Sequence, residues 1–98
     1  MAADDRYLIA PASVANTAYM TIQPGTGVEA IIKNIFCAAA AEIHLYDGAN
    51  DILLDTSALS GQNVWLNLSI DVTNTVYLRV KNVSGSAQIM SAGGVQTK

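Results

Sequence analysis

The chain is short of the side chains that most often carry chemistry. It has one cysteine, Cys37, so no disulfide can close within it. The neighbours of Cys37, Ile35-Phe36 and Ala38-Ala39, bring no histidine and no cation, and a catalytic thiol needs an electropositive setting. Cys37 reads as a small buried hydrophobe. Histidine is also single, and His44 alone cannot build the His cluster of a zinc centre. It alternates against Ile43 and Leu45, which places it on a surface or interface. There is no Gly-x-Ser-x-Gly elbow, no phosphate loop and no dinucleotide fingerprint. Asp47, Asp51 and Asp55 lack the Asp-x-Asp-x spacing and closing Glu of a calcium loop, so they read as turn acids. The expectation is a non-enzyme with no catalytic residues, no cofactor and no metal.

Charge is scarce too. Charged residues make up 13% of the 98 residues and hydrophobic residues 51%, where an ordinary soluble domain carries about 25% charged residues. A domain this small has a high surface-to-volume ratio and needs polar cover. Part of its surface is therefore expected to be covered by other protein in the working state. The net charge of −3 argues against nucleic acid as a partner, because phosphate neutralisation needs a basic patch. The five basic residues are scattered. No apolar run reaches the length of a membrane span, so no membrane partner is expected. The start carries Asp4 and Asp5 where a secretory signal has a basic region, which sets the expectation of folding in a reducing cytoplasm.

What is present is strand signal. Residues 17–23 alternate, with Ala18, Met20 and Ile22 against Tyr19 and Thr21. Pro24-Gly25-Thr26-Gly27 is a turn. Residues 28–37 read as one long strand, apolar on both faces: Val28, Ala30, Ile32 and Phe36 on one, Ile31, Ile35 and Cys37 on the other. Residues 38–41, all alanine, are too few to nucleate a helix and read as a loop or strand end. Residues 42–46 and 51–55 flank Asp47-Gly48, a strong hairpin signal. Residues 56–63 read as a polar turn anchored by Leu59. The clearest alternation is at 64–70, with Val64, Leu66, Leu68 and Ile70 inward and Trp65 outward. Val76, Leu78 and Val80 alternate against Tyr77, Arg79 and Lys81. Residues 83–86 read as a tight hairpin returning into 87–91, and Gly93-Gly94 as the release of a short tail. The expected fold is all-β: an antiparallel β-sandwich or jelly-roll-like barrel of seven to eight short strands. Residues 1–16 form an N-terminal arm or edge strand and 17–98 a single domain.

The aromatic residues Trp65, Tyr77, Tyr46 and Tyr19 suit either a sugar platform or a protein contact. Trp, Tyr and Arg are enriched at protein interfaces, and no polar rim is visible beside the rings. A protein interface formed by Tyr7, Leu8, Ile31, Ile35, Trp65, Tyr77 and Arg79 is therefore expected, with glycan as the alternative.

Three segments, Thr21-Ile-Gln-Pro-Gly-Thr-Gly, Val28-Glu-Ala-Ile-Ile-Lys-Asn-Ile and Ile43-His-Leu-Tyr-Asp-Gly, together with Thr75-Val-Tyr-Leu-Arg-Val-Lys-Asn-Val-Ser-Gly-Ser-Ala, resemble small β-sandwich virion proteins of tailed bacteriophages. The resemblance covers roughly residues 17–91. It implies a capsid decoration (cement) protein, or a minor head, collar or tail component, made in the host cytoplasm and located in the virion. The implied partners are further copies of the chain and a major capsid or other virion protein. No active-site residue is carried over.

Overall fold

A computed structural model describes residues 6–57 and 63–98. The described residues form nine strands and no helix: β1 (Arg6–Val14), β2 (Tyr19–Ile22), β3 (Glu29–Cys37), β4 (Ala41–Tyr46), β5 (Asp51–Ser57), β6 (Asn63–Trp65), β7 (Ile70–Thr73), β8 (Tyr77–Asn82) and β9 (Gln88–Gln96). One sheet has the order β1-β9-β3-β6, with β7 also on β3; the other has the order β2-β8-β4-β5. Every pairing is antiparallel.

Pairing of β1 with β9, β2 with β8, β3 with β6 and β7, and β4 with β5 describes one long ribbon folded at the β4–β5 turn. Wrapping that ribbon adds the β3–β9 and β4–β8 pairs. This is jelly-roll connectivity. The two sheets remain separate, so the result is a sandwich and not a closed barrel. β4–β5 is the only pair joining consecutive strands among the described residues. Asp47 N–H donates to the Asn50 carbonyl there, and Gly48 takes a φ of 95°.

The core lies between the sheets. Met20, Ile22, Ile43, Leu78 and Val80 come from one, and Ala30, Ile32, Ile35, Cys37, Val72 and Met90 from the other. Burying one such large aliphatic side chain contributes about 1.5–3 kcal/mol.

Four sequence expectations are corrected. First, β3 does not turn its apolar residues equally to both faces. A bulge between Ile32 and Asn34 inserts Lys33, and one extra residue reverses the alternation. Ala30, Ile32, Ile35 and Cys37 therefore all point inward, leaving Ile31 and Phe36 half-buried on the outer face. Second, 64–70 is not one strand. β6 ends at Trp65, Asn67 takes a left-handed φ of 59°, and Leu68 N–H donates to the Lys33 carbonyl at the bulge (2.9 Å). Val64 and Leu66 are exposed, not inward. This split accounts for nine strands where seven or eight are expected. Third, residues 83–86 do not form a hairpin, because β8 and β9 belong to different sheets. Fourth, Gly93 and Gly94 lie within β9, between β1 and β3, and release no tail.

Residues 6–14 form an edge strand paired with β9. Residues 1–5 and the anchor expected at Leu59 lie outside the described residues.

Candidate functional site

The seven residues expected to form one interface are distributed over three places. Ile35 and Tyr7 are interior, 1% and 9% exposed, and are not free surface. Ile35 is turned in by the Lys33 bulge. Tyr7 stands opposite Gly94 on β9. Burial pushes the Tyr7 phenol above its ordinary pKa. Trp65 is opposite Ile35, and directly opposed residues share a face, so its ring points inward at the open edge between β5 and β6. There its Nε1 donates to Asp55 Oδ2 at 2.6 Å. Trp65 and Tyr77 therefore do not share a face or lie on adjacent strands.

Tyr77 and Arg79 lie on the outer face of the four-stranded sheet. Period-2 alternation brings Tyr19 (β2), Tyr77, Arg79 and Lys81 (β8), Glu42, His44 and Tyr46 (β4) and Asp51 (β5) to that face. Arg79 is at its centre. Its guanidinium is 4.2 Å from the Tyr19 ring centroid and 3.8 Å from that of Tyr46, and it donates to Asp51 Oδ2 at 3.2 Å. His44 lies between two carboxylates, with Nε2 3.0 Å from Glu42 and Nδ1 3.2 Å from Asp51. The Tyr46 and Tyr77 rings meet edge to face at 5.7 Å. Stacking and ion pairing occupy this face with its own groups, and the three tyrosines stay half-buried there. The sugar alternative lacked a polar rim in the sequence; Asp51, Arg79, Glu42 and His44 supply one beside the tyrosines.

Leu8 and Ile31 lie on the outer face of the other sheet. Leu8 (62% exposed), Val64 (51%) and Ile89 (44%) join Phe36 there. Across this face runs a groove of about 710 Å³ lined by Arg6, Leu8, Pro11, Lys33, Phe36 and Val64, with Gly93 also in its lining. The groove passes over Gly93, which carries no side chain, beside the Lys33 bulge of β3. Sequence reasoning missed Phe36, grouped with Ala30 and Ile32 on one face of its strand, and Val64, assigned inward, because both readings assume a regular alternation. It also missed Ile52, Leu53 and Leu54 of β5, which are 54%, 52% and 44% exposed. Three consecutive apolar residues between Asp51 and Asp55 were the available signal.

Cys37 is fully buried, and burial pushes its thiol up to about 11. Among the described residues no group of three or more His, Cys, Asp or Glu is placed to hold a metal ion. Comparison with protein-family models and with curated proteins finds no match to this chain.

Proposed function

We propose that this domain is a non-catalytic structural subunit of a tailed-bacteriophage virion, a capsid decoration (cement) protein that binds capsomers as an oligomer. The observation that carries the reading is the apolar outer face of the five-stranded sheet, where Leu8, Phe36 and Val64 line a groove and Ile89 is exposed on the same face. Contiguous exposed apolar surface on a small domain marks a contact with other protein, and permanent interfaces resemble a core cut in half. The scarcity of charge supports the same reading. Jelly rolls occur in viral capsid domains and also in lectins and cupins. A fold alone does not assign an activity, so the face and not the topology supports the proposal.

The test is to add purified chain to phage particles that lack it. Saturable co-sedimentation, with a rise in the temperature at which heads release DNA, is the expected result. Electron microscopy of labelled chain separates head from collar or tail. Failure to bind heads or tails overturns the proposal.

A second reading, a glycan-binding module, is favoured by the three tyrosines and their polar neighbours on the four-stranded sheet. It predicts glycan-array binding that Tyr77→Ala abolishes without loss of fold. A blank array removes it.

A further inference from the structure

Strand β1 is held to the domain lightly. It pairs with β9 and with no other strand among the described residues. Its ladder breaks between Ile9 and Ala12, where Pro11 stands. Of its nine residues only Tyr7 and Val14 are buried. Residues 15–18 alone join it to β2, which belongs to the opposite sheet. That connection is strained. Thr17 takes a left-handed φ of 67°, and it is the one β-branched residue to do so among the described residues. Its Cβ crowds the backbone there, so threonine resists this conformation far more than glycine or asparagine does. Bonds to the far side of the domain hold the connection in place. The Thr17 N–H donates to the Asn82 carbonyl (2.9 Å), the Gly85 N–H to Asn16 Oδ1 (3.0 Å), and Asn82 Nδ2 to the Val14 carbonyl (2.8 Å).

We propose that residues 15–17 are a hinge and that β1 exchanges between two copies of the chain, each β1 pairing with β9 of the other. The proposal rests on the reading of the domain as an assembly subunit and names how two copies interlock. Identity selects the occupant of the β9 edge. A β1 from a second copy re-forms the same register, from Arg6 on Val95 to Val14 on Gln88, and the same burial of Tyr7 and Val14. No new complementary surface is needed, which makes exchange of an identical element a low-cost route to a dimer. The closed chain and the exchanged dimer differ at the hinge. In the closed chain, residues 15–18 must carry the backbone from one sheet to the other with Thr17 left-handed. In the dimer the hinge extends toward the second copy, and Thr17 returns to the β region that a branched side chain favours. Short connections under strain invite exchange for this reason. Each dimer relieves two such hinges.

The test joins β1 to β9 covalently in the full chain. Ser13 and Ile89 are directly opposed and both exposed, so Ser13→Cys combined with Ile89→Cys places two thiols within reach of a disulfide. Cys37 is buried and stays out of the reaction. After refolding at high concentration and oxidation, a denaturing gel without reductant is expected to show covalent dimers of the double variant and none of either single variant. Bridges formed only within chains, or dimers formed equally by a single variant, overturn the proposal. A second measurement needs no added cysteine. Sedimentation analysis is expected to show a wild-type dimer, and Thr17→Gly, which accepts the left-handed hinge without strain, is expected to dimerise at least tenfold more weakly. A circular-dichroism melt confirms that each variant folds. Wild-type chain that is monomeric at every concentration, or Thr17→Gly that dimerises like wild type, also overturns the exchange. Chain that co-sediments with phage particles yet bridges only within chains loses the exchange and keeps the subunit reading. Covalent dimers without particle binding do the reverse.

Discussion

A Cβ placed on Gly94 would lie 2.1 Å from the carbonyl oxygen of Ile31, which makes glycine obligatory where β9 crosses β3. The obstacle is backbone on a central strand pair, so no rotamer change relieves it. Gly94→Ala is expected to destabilise by about 3 kcal/mol or more, in the range where strain in packed structure dominates. Gly93→Ala meets the end of the Asn34 side chain at 2.7 Å, which can swing away, and is expected to cost less. Urea denaturation of both variants checks the order.

Asn82 is fully buried at the end of β8, where the chain leaves one sheet for the other. Its amide nitrogen donates to the carbonyls of Val14 and Ser86, each at 2.8 Å. Its Oδ1 accepts from the Ser84 N–H (2.9 Å), the Ser84 hydroxyl (2.7 Å) and Gln88 Nε2 (2.8 Å). Asn82→Ala strands these partners, and leaving buried groups unsatisfied costs about 1–3 kcal/mol each. The expected loss is about 3 kcal/mol. Asn82→Asp, which keeps the acceptors and removes the donors, is expected to be no milder. Thermal denaturation measures both.

Replacing Arg79 by Lys retains charge but loses the flat ion that fits between Tyr19 and Tyr46. Guanidinium stacks of this kind contribute about 0.5–1 kcal/mol when exposed, and exposed ion pairs up to about 1 kcal/mol. Arg79→Lys is expected to cost about 1 kcal/mol, and Arg79→Ala somewhat more. Near-ultraviolet circular dichroism of the tyrosines reads the local change, and denaturant melts read the stability.

Asp47 is held below the ordinary carboxylate range, first by the Asn50 N–H (2.6 Å) and then by the Ala49 N–H (2.9 Å). A depressed folded pKa means stability present above the unfolded value, about 3.9, and lost as pH falls through the folded value. Asp47→Ala is therefore expected to be less stable than wild type at pH 7, with the gap closing in strong acid. Denaturation at the two pH values gives the comparison.

The Cys37 thiol is expected to be inert in the folded chain, being buried and titrating only near 11. A colorimetric thiol reagent should react at once in denaturant and only at the rate of unfolding in buffer. Rapid reaction of folded chain contradicts the burial.

The sequence by itself determined the class of fold and the segments where alternation is regular. Met20 and Ile22, or Leu78 and Val80, need only a period of two to find the core, and the Asp47-Gly48 turn needs only local conformational preference. Three things were decided in tertiary structure. The Lys33 bulge inserts one residue, and no local propensity marks it, yet it moves Ile35 from the expected interface into the core. Strand partners form over long separations, so the residues at 83–86 look like a hairpin although β8 and β9 part to different sheets. Facing depends on the partner strand, so Trp65 turns inward toward Asp55 while Tyr19, Tyr46 and Tyr77 gather on the opposite sheet. The scarcity of charge implied exposed apolar surface; only the folded sheets show where it lies, around Leu8 on one sheet and at Ile52, Leu53 and Leu54 on the edge of the other.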